Sequence, residues 1–121
     1  MGQFGALEAA IMDVLWSRTA PMTVRDVLEV LHRDRPLAYT TVMTVLDNLH
    51  RKGWLRRERD GRAWRYTAVM SRDAYTADMM SHMLAGSPDP AAVFLHLVSQ
   101  MSPAETTQLR AALRRAPTDP S

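Results

Sequence analysis

The segment 37–66 constrains the fold more than any other part of the chain. Val42, Val45, Leu46 and Leu49 recur at helical spacing, which makes one face of a helix apolar. Gly53 follows Arg51-Lys52, and a glycine after cations at the negative end of the helix dipole is a natural stop. The opposite face carries Tyr39, Thr40, Thr41, Met43, Thr44, Asp47 and Asn48. β-Branched threonine is a mediocre helix former, so Thr40, Thr41 and Thr44 point to a face suited to contact rather than to helicity. Two strand-like runs follow, residues 54–59 and 62–67, with Asp60-Gly61 between them as a strong signal for a tight hairpin turn. A hairpin directly after such a helix predicts a winged helix, with Arg59, Gly61 and Arg62 at the wing tip.

The preceding sequence supplies two more helices. Leu7, Ile11, Val14 and Leu15 form an apolar stripe closed by Trp16, and Ser17-Arg18-Thr19-Ala20-Pro21 breaks it into a loop. Thr23 caps a second helix, with Asp26 as its capping-box-like partner and Val24, Val27, Leu28 and Leu31 facing inward as far as about His32. Arg33-Asp34-Arg35-Pro36 ends that helix, and the third starts near Ala38. A tight turn between the second and third helices fits a helix-turn-helix core.

Downstream, Ser71 caps a fourth helix that ends at Gly86, and Ser87-Pro88-Asp89-Pro90 reads as a hinge. Residues 91–100 form a fifth helix. Ser102-Pro103-Ala104-Glu105 is a capping box with proline at the first helical position, opening a sixth helix that runs to about Arg115 with Leu109 and Leu113 inward. Roughly 45 residues of this kind fall below the usual size for an independent core. Tyr75, Met79, Met80, Met83, Val93, Phe94, Leu97, Leu109 and Leu113 are therefore expected to pack against a second copy, making a homodimer. The expected fold class is mainly α. A winged helix-turn-helix N-terminal domain covers residues 1–70, a C-terminal helical dimerisation region covers 71–116, and a flexible tail covers 117–121.

Composition narrows the function. An apolar fraction of 46% excludes a wholly disordered chain. There is no cysteine, hence no disulfide, thiolate metal site or cysteine nucleophile. No apolar run approaches the roughly 18–20 residues of a membrane span, and the start lacks the order of a signal peptide, so a soluble cytoplasmic protein is expected. The net charge is only +2, yet Arg51, Lys52, Arg56, Arg57, Arg59, Arg62 and Arg65 crowd one short stretch against Glu58 and Asp60. That concentration suits a polyanion. Met79, Met80, His82 and Met83 resemble a soft-metal cluster, but methionine at helical spacing is usually core or interface filler. No metal or cofactor is expected. No phosphate loop, carboxylate pair or nucleophile–base set appears, so the chain does not read as an enzyme.

These features predict double-stranded DNA as the partner, with the third helix in a groove. Thr40, Thr41, Met43 and Thr44 are the base-contact candidates: threonine hydroxyls pair with donors or acceptors, and methyl or thioether groups meet a thymine methyl. Thr23, Arg25, Tyr39, Arg51, Arg59, Arg62 and Arg65 are the backbone-contact candidates. Thr23 is also an N-cap. Tyr39 either bonds a phosphate or packs beneath the helix start. Arg51 and Lys52 either touch the backbone or balance the dipole. Arg56 and Arg57 point in opposite directions, so at most one faces DNA. A winged helix used only for protein–protein contact is the alternative reading.

Several runs resemble the penicillinase-repressor family, the BlaI, MecI and CopY group of bacterial winged-helix repressors, and its actinobacterial BlaI-type members in particular. They are Leu7-Glu8 with Ile11-Met12-Asp13-Val14-Leu15-Trp16, then Thr23-Val24-Arg25-Asp26-Val27, then Ala38-Tyr39-Thr40-Thr41-Val42-Met43-Thr44-Val45-Leu46. Leu49, Lys52-Gly53, Asp60-Gly61-Arg62 and Tyr66 continue the match. The resemblance implies a homodimer with interlocked C-terminal helices that binds a palindromic operator with a TACA/TGTA-like core. It also implies repression of genes such as those for β-lactamase and its membrane sensor. Proteolysis by a membrane sensor protease, within the dimerisation helices, would relieve it. The family's Asn-Phe cut would fall near His96-Leu97, a dipeptide this chain does not share, and the copper-responsive branch's cysteine motif is also missing. A winged-helix regulator of unrelated genes, relieved by a small ligand, is the alternative within this class.

Overall fold

A computed structural model describes residues 4–34 and 36–117. The tail expected over 117–121 falls outside the described residues from 118 onward, as does Arg35. The elements in chain order are α1 (Ala6–Trp16), α2 (Val24–His32), α3 (Tyr39–Arg51), β1 (Leu55–Asp60), β2 (Ala63–Ala68), α4 (Arg72–Ala85), α5 (Pro90–Gln100) and α6 (Pro103–Arg115). The fold is mainly helical, with a small antiparallel sheet as the wing.

Local chemistry sets the helix ends. The Thr23 Oγ1 accepts from the Asp26 N–H at 3.1 Å while the Thr23 N–H donates to the Asp26 carboxylate at 3.0 Å. This is a complete capping box, and it satisfies two donors that a helix start otherwise leaves orphaned. At the far end of α3, Gly53 has φ +89°. Its N–H donates to the His50 carbonyl and the Trp54 N–H to the Leu49 carbonyl, both at 3.0 Å. Those two bonds define a Schellman cap, which needs the left-handed conformation glycine adopts freely.

The chain divides into two compact units, residues 1–79 and 80–121. The first has the core: Ile11, Met12, Val14 and Leu15 from α1, Val24, Val27 and Leu31 from α2, Val42, Leu46 and Leu49 from α3, with Met22, Leu55 and Tyr66. Met12 lies outside the expected α1 stripe yet is fully buried. Leu7, Leu28 and Val45 pack at the margin of this core. Met22, placed just after the predicted loop, makes an isolated bridge to Tyr66, with mutual N–H···O bonds of 3.0 and 2.8 Å. It ties the start of α2 to the wing.

The first unit also takes in the start of α4. Tyr75, expected among the dimerisation residues, stacks on Phe4 (centroids 5.1 Å) and meets Trp16 and Trp54 at 5.2 and 5.5 Å. Aromatic pairs at such spacings add attraction beyond burial, which accounts for its attachment to this unit. Arg72 reinforces the join through Asp13 at 3.1 Å.

The second unit is different. Among the described residues, α4, α5 and α6 contribute no buried side chain. Leu113, expected to face inward, is 68% exposed. No helix among the described residues is long and apolar enough to cross a membrane.

Candidate nucleic-acid interface

The α3 helix separates its two faces cleanly. Val42, Leu46 and Leu49 are fully buried, and this fixes the rotation of the helix. Thr40, Thr41, Met43 and Thr44 are then all exposed, as their alternation with the buried set requires. Tyr39, at the first helical position, is also exposed rather than packed beneath the helix start. Ala38 offers no side-chain cap, so the first N–H groups of α3 are left for solvent or a ligand.

The wing lies beside the end of this helix. Its strands pair Arg57 with Tyr66, Arg59 with Trp64 and Asp60 with Ala63. The connection is therefore the two residues Gly61-Arg62, one further along than the Asp60-Gly61 signal suggests. Gly61 has φ +63° and no described non-glycine residue has positive φ, which fits a type II′ turn with glycine first. This places Arg62 at the tip, exposed.

Strand alternation sorts the wing cations. One face carries Leu55, Arg57 and Arg59 with Trp64, Tyr66 and Ala68; the other carries Arg56, Glu58 and Arg65. Arg57 lies 4.2 Å over the Trp64 ring and Arg59 4.9 Å. Arg59 also donates to the Gly61 carbonyl at 3.4 Å. Arg65 is held by Asp60 at 2.6 Å, a hydrogen bond that further raises its already high pKa.

Other expected backbone contacts are partly committed inside the chain. Thr23 is the N-cap of α2, while Arg25 beside it is exposed. Arg51 bonds Asn48 at 2.6 Å and Asp47 at 3.2 Å. Lys52 pairs with Glu8 of α1 at 3.0 Å, and that hydrogen bond, aided by the Gly5 N–H, holds the Glu8 carboxyl below the usual range. The Thr23 N–H does the same for Asp26. Sequence reasoning placed at most one of Arg56 and Arg57 at DNA but missed that Arg57 reaches Asp47 on α3 at 3.2 Å. The two residues sit on different elements, so no helical or strand period links them.

The remaining candidates, all but Tyr75 and Met79, lie in the second unit. Met80, Met83, Val93, Phe94 and Leu97 are exposed there, and Leu109 is half-buried. His96-Leu97 sits inside the continuous helix α5. No group of three or more histidine, aspartate or glutamate side chains among the described residues has metal-binding geometry.

Comparison with known proteins agrees with this geometry. The family model described as penicillinase repressor matches residues 4–115. The transcriptional regulator BlaI of Mycobacterium tuberculosis is 46% identical over 114 residues, covering 92% of this chain and 83% of that protein. The solution structure of the DNA-binding domain of the repressor BlaI superposes with a TM-score of 0.53 at 25% identity, over 60% of this chain and 90% of that one. The monomeric form of Bacillus licheniformis BlaI, solved with the blaP half-operator, gives 0.50 at 25% identity, over 59% and 85%. The chain belongs to the penicillinase repressor family, whose members are transcriptional repressors and not enzymes.

Proposed function

We propose that this protein is a cytoplasmic homodimer that silences genes by occupying a palindromic operator with a TACA/TGTA-like core. Helix α3 enters the major groove with Thr40, Thr41, Met43 and Thr44 toward base edges. Tyr39, Arg25 and Arg62 reach the phosphates, joined by Arg51, Arg59 and Arg65 once DNA competes for their present partners. The observation that carries this reading is the exposed polar face of α3 standing over a fully buried one, beside a strongly basic wing. The likeness to a BlaI solved with a half-operator supports the same docking.

Helices α4 to α6 would pair two copies and so set the half-site spacing. The regulated genes on this reading include those for β-lactamase or related stress functions. Relief by a membrane sensor protease would require α5 to unwind near His96-Leu97, because a continuous helix does not fit an extended protease cleft.

The test is titration of a palindromic and a scrambled duplex across salt concentrations. Met43→Ala or Thr44→Ala should cost ~1–3 kcal/mol on the palindrome and little on the scrambled duplex. Equal losses on both would overturn direct reading. Arg62→Ala should weaken both alike and reduce the salt slope by about one.

A further inference from the structure

Asp47 occupies an unexpected place. At about 3.6 residues per turn, Thr40, Met43, Thr44, Asp47 and Arg51 fall within roughly 100° of arc on α3. A carboxylate thus sits amid the face that meets a polyanion, where it repels phosphate. Two roles fit such a group: accepting from a cytosine amino group, or organising its neighbours. The geometry favours the second. One carboxylate oxygen takes Arg57 and the other takes Arg51, each at 3.2 Å.

The contacts continue in both directions. Arg51 is also bonded to Asn48 at 2.6 Å. Beyond Arg57, whose side chain is only 23% exposed, the Trp64 ring lies at 4.2 Å, with Arg59 over the same ring and bonded to the Gly61 carbonyl. A continuous line of charge-assisted and ring contacts therefore runs from the last turn of α3 to the tip of the wing. Asp47 is the one anion in it.

We propose that Asp47 is a positioning residue for specificity. With Arg57 and Trp64 it forms a strap that fixes the wing against the recognition helix and holds the Arg51 guanidinium at one place on the rim. Phosphate contacts from Arg51 and the wing then form together only in the register where α3 also meets its correct bases. Without the strap, the same arginines reach phosphates in many registers, and random DNA gains more than the operator does. The strap rests on the reading of α3 as the DNA-reading helix. The planar guanidinium of Arg57 bridges a carboxylate and a ring at once, and a lysine cannot do both.

The full-length protein should be titrated against the best duplex selected from a random pool and against a scrambled duplex of equal length. Asp47→Asn is expected to tighten the scrambled duplex more than the selected one, lowering their affinity ratio on the order of tenfold, the scale of one specific contact. Arg57→Lys keeps the charge and is expected to lower the same ratio. The ratio is the readout because a misfolded fraction lowers both affinities alike. A merely repulsive carboxylate would shift both duplexes equally in Asp47→Asn and leave Arg57→Lys at the wild-type ratio, and that result overturns the strap. A loss confined to targets with a C·G pair at one position also overturns it, by assigning Asp47 to a base. A wild-type ratio near one overturns the DNA reading itself; a high wild-type ratio that neither variant lowers overturns the strap alone.

Discussion

The winged unit and the C-terminal helices share one way of starting a helix but treat their apolar faces differently. Thr23 and Asp26 box the start of α2, and Ser102 and Glu105 box the start of α6 in the same pattern. Asp89 caps α5 through the Ala92 N–H at 3.3 Å. Side-chain capping therefore secures α2 in one region and α5 and α6 in the other. Burial does not follow. The apolar faces of α1, α2 and α3 close on one another, whereas Val93, Phe94, Leu95, Leu97 and Val98 of α5 all stay exposed, Leu95 at 72%. At helical spacing the first, second, fourth and fifth of these share one side and Leu95 lies on another. A helix apolar on several sides is ordinarily covered, which is the basis of the proposed pairing of two copies through α5. A cap can fix where a helix starts, but it leaves the apolar face of that helix uncovered.

The largest expected effect comes from charging that unsatisfied surface. Phe94→Asp should convert the proposed dimer to monomer in analytical ultracentrifugation. Because pairing makes the second half-site contact intramolecular, affinity for a palindrome should fall by ~10²-fold or more. The thermal melt of the winged unit, followed by the fluorescence of its tryptophans, should stay unchanged. A Phe94→Asp protein that remains dimeric would show that this face of α5 is not the interface, and the contrast between the two regions would need another explanation.

The complementary change is made where burial is complete. Leu46 is fully buried on α3. Leu46→Ala should destabilise the winged unit by ~2–5 kcal/mol in urea denaturation, a large part of the ~5–15 kcal/mol that holds a typical domain. A change below ~1 kcal/mol would mean that this core is looser than its burial implies. DNA binding should be lost in proportion to unfolding, with no change in preference among sequences, which separates Leu46→Ala from substitutions on the reading face.

Much of this was legible in the sequence, and the reason is local periodicity. The Thr23–Asp26 box, the stop at Gly53, the hairpin after Trp54 and the exposure of Thr40 and Met43 all follow from patterns within one element. What escaped depends on elements meeting. Met22 pairs with Tyr66 through a single bridge, too short to leave a strand pattern. Met12 is buried because α2, α3 and the wing enclose α1 on a wider arc than one apolar stripe. Tyr75 looked like interface material on α4, but Phe4, Trp16 and Trp54 come from three separate places to receive it. Asp47 and Arg57 stand ten positions apart with a helix end between them, so their pairing appears only once the wing has folded back toward α3. On α3, the exposed candidates could be named from the helix alone, whereas the pairing of Asp47 with Arg57 could not.

The smallest expected effect concerns two carboxylates of the winged unit that do different kinds of work. Asp26 is held by the Thr23 N–H within one turn, and Glu8 reaches across from α1 to Lys52 at the end of α3. Both hold their protons less tightly in the folded chain than when unfolded, Asp26 chiefly through the backbone bond and Glu8 chiefly through Lys52. Their contribution is therefore complete above the ordinary carboxylate range of about 3.9–4.3 and is lost as pH falls through the lower folded values. Melting temperature measured from about pH 7 down to pH 3 should decline, and the decline should be shallower in Asp26→Asn and in Glu8→Gln, each by ~1 kcal/mol or less. Salt separates them. The exposed Glu8–Lys52 pair is screened by added salt, whereas the short cap at Asp26 is a hydrogen bond within its own turn and should persist. An acid decline equally steep in both variants would show that neither carboxylate governs it, and an Asp26 effect that vanishes in salt would show that its cap acts through long-range charge rather than through the bond to Thr23.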